Sequence, residues 1–407
     1  MSTDSEGDIS LKRTLGPAMV TFYGLGTIIG AGIYVLLGSV AGYAGDWLPL
    51  SFLLAGTIAA FTALTYAELS SRLPQCAGAA VYVYEAWWNK WLSAIVGWML
   101  VLTGVVSAAA IANGFIGYLN VFFSIDAAFA ITLLVLALGF LAAWNMHVSA
   151  FMIAVVTLIE LGGLLMVVVF AAAAEPATAA AMSAETIPGT VPGVILGGFI
   201  AFYAFIGFED MVNIVEEVKN PHRNMPLGII VSVSLAIGLY FLVSLAALHV
   251  IPASELAASS APLSDIMVAS GGSNKLISLI GLVAVVNGAL VQIIMASRVL
   301  YGMAGQSMAP AILGDINEHT HTPVIATVLV VSLVIVFALA LPLTDLARLT
   351  SFIMLVIFTL VNTALLIIKR RSYQDYTGLN LPIIVPLIGA ITAVMLTFSQ
   401  VFTVFTQ

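Results

Sequence analysis

The chain has 407 residues, 61% apolar and only 8% charged, with a net charge of −8 at pH 7 and a mean hydropathy of +1.13. Soluble domains carry about 25% charged residues, so a water-soluble fold is excluded; repeated apolar runs long enough to cross a hydrocarbon core define an all-α polytopic membrane protein. The acidic balance argues against a nucleic-acid partner, and a lone cysteine, Cys76, leaves no intrachain disulfide framework or Cys-based metal site.

Apolar runs predict eleven spans: residues 15–42, 48–70, 92–119, 127–145, 148–173, 192–216, 226–250, 275–303, 323–341, 346–368 and 382–406. The tail Met1–Ser10 carries Asp4, Glu6 and Asp8 ahead of Lys12 and Arg13. It lacks the basic n-region and small-residue cleavage site of a signal peptide, so span 1 is expected to be retained.

Span 1 carries Gly24, Gly26, Gly30 and Gly32 within nine residues. Each glycine costs about 1 kcal/mol of helix propensity relative to alanine. Hydrocarbon tolerates freed backbone only where protein lines a cavity. The cluster therefore predicts a break near Ile29, whose bare N–H and C=O groups suit a small polar solute, as in the discontinuous helices of secondary transporters. The other reading is a small-xxx-small packing face made by Gly26 and Gly30. The spacing G-x-G-x-x-x-G, with no βαβ unit around it, is not a dinucleotide fingerprint.

Between spans 2 and 3, Tyr82, Tyr84, Trp87, Trp88 and Trp91 read as an amphipathic segment at the membrane interface. Glu160 falls near the centre of span 5, where an ionised group costs at least about 3 kcal/mol. It is either a carboxyl that binds and releases a proton during turnover or a neutral one bonded between helices. Span 6 is interrupted around Phe205-Ile206-Gly207, with Glu209 and Asp210 following. Lower down, Glu216, Glu217 and Lys219 approach Arg72 and Arg298 as an ion network or as solvated interfacial charge. Asn287 in span 8 fits a cation-like site or a bridge between helices. His319 and His321, with Asp315 and Glu318, are only loosely metal-like in spacing, and no metal site is expected. No nucleophile–base pair or phosphate-cradling loop is present, so neither enzyme chemistry nor a cofactor is expected.

Loops on the side of the N-terminus hold Lys12, Arg13, Arg72, Lys90, Lys219, Arg223, Arg298, Lys369, Arg370 and Arg371, ten of the twelve basic residues. Only Lys275 and Arg348 fall on the other side, among Asp46, Asp126, Glu175, Glu185, Glu255, Asp265 and Asp345. The positive-inside rule then places the N-terminus in the cytoplasm. Five spans separate the two interruptions. Because five is odd, the second copy of such a unit is inverted relative to the first. The resulting division is a cytoplasmic tail over 1–14, a first repeat over 15–173, a second over 192–370 and an extra span over 382–406.

Three stretches resemble the amino acid–polyamine–organocation (APC) superfamily, and its prokaryotic cationic-amino-acid-transporter-like branch in particular. They are Gly24-Leu25-Gly26-Thr27-Ile28-Ile29-Gly30-Ala31-Gly32-Ile33-Tyr34, then Tyr66-Ala67-Glu68-Leu69-Ser70-Ser71-Arg72-Leu73-Pro74, then Phe205-Ile206-Gly207-Phe208-Glu209-Asp210 through Glu216-Glu217-Val218-Lys219-Asn220-Pro221. Ser297-Arg298-Val299-Leu300-Tyr301 is a weaker match. The resemblance implies a LeuT-like inverted five-plus-five helix repeat with discontinuous helices 1 and 6. Family members usually add two helices; this chain adds one, which places its C-terminus outside the cell.

An α-amino acid requires one cradle for its carboxylate and another for its ammonium. The half-helix after the span 1 break presents N–H groups and the positive end of its dipole, which assigns the carboxylate to the backbone of Ile29, Gly30, Ala31 and Gly32. The half-helix before the span 6 break ends in free carbonyls, which assigns the ammonium to Tyr203, Ala204, Phe205 and Ile206. The resemblance implies substrate contact at the same positions. Glu209 and Asp210 line a side-chain pocket favouring a cationic amino acid or, as the better-favoured reading, bond to backbone near the gate. Proton-coupled relatives commonly carry a lysine in this part of span 5, in a Thr-x-Ile-Lys-like context. Here the context is Thr157-Leu158-Ile159-Glu160, so the role of that internal cation does not carry over. Glu160, with Glu209, Asp210 and Asn287, is expected to serve coupling or gating. The expectation is a permease of the cell membrane moving amino acids by alternating access with a proton. Sodium coupling or exchange are the alternatives, and an ion channel or receptor is the alternative from another class.

Overall fold

A computed structural model describes residues 13–74, 78–144, 150–176, 187–371 and 378–406. Met1–Lys12, Cys76 and Glu185 lie outside the described residues. The rest is helical; among the described residues the sole β pairing is an isolated bridge between Leu15 and Val218. The helices coincide with the eleven expected spans: Pro17–Ala44, Leu48–Arg72, Lys90–Leu119, Ala127–Ala143, Ala150–Ala173, the interrupted 191–217, Pro221–Val250, Asn274–Gly305, Val324–Ala340, Leu343–Arg371 and Ile384–Thr406. Seven helical stretches among the described residues are long and apolar enough to cross a bilayer, and shorter apolar helices accompany them.

Local chemistry sets the helix ends. Asn89 accepts from the N–H groups of Trp91 and Leu92, Asp126 from Phe129, and Thr190 from Gly193. Span 7 starts at Pro221, five residues before the expected Pro226. Pro226 cannot donate to the carbonyl of His222; Ser71 Oγ of span 2 donates to it instead, at 2.9 Å. That external donor lets the helix run through the proline.

Interhelical polar contacts bind a bundle whose solvent is as apolar as its side chains. Asn362 of span 10 is fully buried, donates to Thr62 Oγ1 at 2.9 Å and accepts from Thr65 Oγ1 at 2.6 Å. Two short helices, Ala253–Ala258 and Pro262–Ala269, connect spans 7 and 8. The first packs on span 1 so closely that a Cβ on Gly38 would stand 2.4 Å from the carbonyl oxygen of Leu256.

The segment between spans 2 and 3 corrects one expectation. It forms the helix Gly78–Trp87, and its aromatics part company. Trp88 and Trp91 are exposed, as an interfacial belt requires, but Tyr82 is fully buried, edge-on to Tyr66 with ring centroids 5.9 Å apart. One face of this helix is core because it covers an aromatic cluster that Tyr66 shares with Phe208 and Phe358.

The span 1 glycines divide between two roles. Only Gly30 departs from helical geometry, with φ 15° and ψ −144°. A Cβ on Gly24 would meet Met211 Sδ at 2.4 Å, one on Gly26 would meet Thr157 Oγ1 at 2.1 Å, and one on Gly32 would meet the Cα of Ala204 at 2.6 Å. Close packing thus explains three of the four and the break explains the other. Gly32→Ala should lower stability by about 1–3 kcal/mol through overpacking against a backbone. Gly162→Ala, a helical position with nothing within 4 Å of the added carbon, should be neutral or stabilising by up to about 1 kcal/mol. Thermal denaturation of the two purified variants checks both signs.

Candidate functional site

Spans 1 and 6 are interrupted at facing positions. In span 6 the α-helix Val191–Ala201 tightens into a 3₁₀ turn over Phe202–Phe205. Ile206 is then extended, Gly207 takes φ 131°, and a 3₁₀ helix runs over Phe208–Glu217. Glycine is required at 207 twice over: φ lies in the left-handed half of the map, and a Cβ there would stand 2.2 Å from the carbonyl oxygen of Thr27. Gly32 against Ala204 is a second point of close backbone approach between these spans. At the remaining break residue, Gly30, a Cβ would meet open space.

Interrupting a helix strands backbone groups that hydrocarbon cannot satisfy. Side chains supply partners here. Tyr240 of span 7 donates its hydroxyl to the carbonyl of Ile28 at 2.9 Å, two residues before the span 1 break. Glu209 Oε2 accepts from the N–H of Gly207 at 2.9 Å, at the start of the second half of span 6. This is the backbone-bonding role favoured for Glu209 from sequence. Behind span 1, Tyr34 donates to the carbonyl of Glu160 at 2.7 Å, and Tyr118 to that of Tyr34 at 2.6 Å.

The sequence-assigned cradle residues are found at these breaks. Ile29 is fully buried, and Tyr203, Ala204, Phe205 and Ile206 are buried as well. The Tyr203 carbonyl accepts from the N–H of Ile206 at 3.1 Å, and its hydroxyl shares a hydrogen bond of 2.9 Å with Ser107 of span 3. The backbone of Ala31 continues the helix beyond Gly30. Glu160 is fully buried in span 5, and neither carboxyl oxygen has a hydrogen-bond partner among the described residues. Asn287 of span 8 lies beside it without reaching bonding geometry.

A cavity of about 690 Å³ enters from the face that carries residue 15, within the range of small-molecule sites. Spans 1, 3, 6 and 8 line it together with Tyr66 of span 2, Ile153 of span 5 and the helix Gly78–Trp87, and Lys90, Arg298, Glu217, Glu209 and Asp210 are its charged residues. Glu209 and Asp210 are the buried ones, each 7% exposed. The cavity lining begins beyond Ile206 and does not include the eight cradle residues.

Sequence reasoning missed a charge cluster built on the buried pair Glu68 and Lys369. Lys369 Nζ of span 10 donates to Glu68 Oε1 and Oε2 at 2.6 and 2.8 Å, to Asn380 Oδ1 at 2.9 Å and to the carbonyl of Leu381. Arg72 Nε donates to Glu68 Oε1 at 2.8 Å, and the Leu381 N–H to Glu68 Oε2 at 2.9 Å. Arg72 also forms an ion pair with Glu68, a carboxylate one turn back on its own helix, at 2.7 Å. Glu217 uses its backbone carbonyl to hold the N–H groups of Thr14 and Leu15, at 2.8 and 3.0 Å. Among the described residues no group of three or more His, Cys, Asp and Glu is placed to hold a metal ion, and His319 and His321 lie outside any such cluster.

Many apolar helices, two of them broken at facing glycine positions, fit a multi-pass membrane transport protein. The chain belongs to the amino acid permease family, whose pattern matches residues 15–407. The branched-chain amino acid permease BcaP of Bacillus subtilis is 30% identical over 389 residues, covering 90% of this chain and 83% of that protein. Vacuolar cationic amino acid transporter 2 of Arabidopsis thaliana is 30% identical over 385 residues, covering 88% of this chain but 60% of that longer protein. The methylthioribose transporter of Bacillus subtilis is 28% identical over 409 residues, covering 94% and 87%. The family and these relatives are transporters, not enzymes.

The buried cluster yields a sharp expectation. Lys369→Met should cost about 3 kcal/mol, as removing one member of a buried ion pair does. Combined with Glu68→Gln it should cost clearly less than the two single changes added together. Denaturation midpoints of the three variants in one detergent measure the coupling.

Proposed function

We propose that this chain is a secondary active permease that moves an α-amino acid across the cell membrane by alternating access, with a proton as the coupling ion. The observation that carries the reading is the meeting of two interrupted helices, backbone against backbone at Gly32–Ala204 and Gly207–Thr27, with open space at Gly30. An inverted pair of five-span units over 15–173 and 192–370 accounts for interruptions five spans apart. The substrate carboxylate binds the N–H groups of the second half of span 1, from Ile29 to Gly32. The ammonium binds the carbonyls of Tyr203 to Ile206. The asymmetry of basic residues puts the N-terminus in the cytoplasm and the end of span 11 outside.

Glu160 supports the proton. A neutral carboxyl serving only to bridge helices would be expected to hold hydrogen bonds, and this one has none among the described residues. It stands behind the break, its carbonyl tied to Tyr34 of span 1. Motion of the second half of span 1 would therefore alter its surroundings, the coupling that alternating access requires.

The names of relatives include both amino acid and methylthioribose carriers, so the zwitterion cradle is testable against a neutral solute. In a thermal-shift screen, several α-amino acids should stabilise the purified protein, and methylthioribose and N-acetylated amino acids should not. In proteoliposomes, uptake should be saturable and stereoselective; ohmic current without saturation would point to a channel instead. Glu160→Gln should lose accumulation driven by a proton gradient while keeping exchange of internal for external substrate. Proton-driven uptake unchanged in that variant would remove Glu160 from the mechanism, and dependence on a sodium gradient would replace the proton.

A further inference from the structure

We propose that the cavity contains a second amino acid subsite on the exit route, with Asp210 binding the ammonium, Arg298 the carboxylate, and Tyr66 and Tyr23 the space between them. The proposal rests on the permease reading above and extends it from the central breaks to the path leading away from them.

Glu209 and Asp210 are adjacent in sequence but differ in occupation. Glu209 is engaged by the N–H of Gly207. Asp210 has no hydrogen bond or ion pair from its carboxyl among the described residues, although it is 7% exposed and lines the cavity. A carboxylate so withdrawn from water carries a large desolvation cost unless a cation or hydrogen-bond donors approach it. One donor already waits nearby. Tyr66 lines the same cavity, is fully buried, and its hydroxyl has no hydrogen-bond partner. That hydroxyl lies within electrostatic reach of both Glu209 and Asp210. An orphaned buried donor and a carboxylate without a protein partner among the described residues, both lining one cavity, make an unfilled polar site, and a compact –NH₃⁺ group with three donors matches the carboxylate.

The same cavity also carries the opposite charge. Arg298 of span 8 lines it, and Tyr23 of span 1 lies within reach of both Asp210 and Arg298. An anion and a guanidinium facing one space are complementary to a zwitterion and orient it. The ammonium then remains on span 6 as the solute descends, passing from the carbonyls before Gly207 to the carboxylate after it. The carboxylate changes hands, from span 1 amides to the Arg298 guanidinium, which suits it bidentately.

The test uses proteoliposomes of known sidedness. Asp210→Asn should raise the KM measured from the residue-15 face at least tenfold, with KM from the opposite face changed less than twofold. Tyr66→Phe and Arg298→Gln should each raise the same one-sided KM about threefold. n-Butylamine, a cation without a carboxylate, should compete with substrate from the residue-15 face in the wild type and fail to do so in Asp210→Asn. Equal KM effects from both faces, an unchanged KM in Asp210→Asn, or amine competition that survives it would each overturn the subsite. Should Asp210→Asn not fold, a Tyr66→Phe protein with unaltered one-sided KM overturns it equally. Wild-type protein that transports amino acids while failing these tests leaves the central site standing. Protein that binds no amino acid at all rejects the central site itself.

Discussion

Everything in this molecule follows from the need to satisfy backbone groups where no water can reach them. An unbroken helix meets that need by itself, so most of the chain is unbroken helix. At Gly30 and Gly207 the rule is suspended, and the surrounding structure compensates. Tyr240 reaches from span 7 to the Ile28 carbonyl, and Glu209 folds back to the Gly207 N–H. Backbones meet at Gly32–Ala204 and Gly207–Thr27, where any side chain would collide. The breaks are therefore supported defects.

Buried charge follows a parallel division. Glu68 is surrounded by Lys369, Arg72 and the Leu381 N–H, and it ties span 2 to span 10 and to the link before span 11. Both of its carboxyl oxygens are engaged. Glu160 is fully buried and neither of its carboxyl oxygens has a hydrogen-bond partner among the described residues, while Asp210, 7% exposed, faces the cavity. In a low-dielectric interior such incompleteness is expensive. The satisfied carboxylate is accounted for by packing; the other two are where we propose function.

Much of this was legible in the chain itself. Apolar length located the long helices, because crossing hydrocarbon demands about twenty apolar residues whatever their neighbours are. Glycine density located the span 1 break to within a residue, Ile29 expected and Gly30 found, since glycine is costly in a helix unless it is needed. It could not divide the cluster: Gly24, Gly26 and Gly32 serve close packing against Met211, Thr157 and Ala204, on two other spans. Tyr82 looked interfacial because its neighbours are tryptophans, yet it is core, because its helix lies across the Tyr66 cluster.

What the sequence determined by itself were the properties each residue carries alone: the cost of a charge in lipid, the freedom of a glycine, the missing N–H of a proline. Glu160 stood out in the sequence for that reason. Only the tertiary structure decided which residues meet. Glu68 and Lys369 lie 301 positions apart, and no periodicity links them. Pro226 was legible as a helix boundary until Ser71, 151 positions from His222, proved to relieve it. Pairing is a property of the packed bundle, because the same apolar helix surface can present its rare polar groups to many neighbours and only the assembled whole selects one.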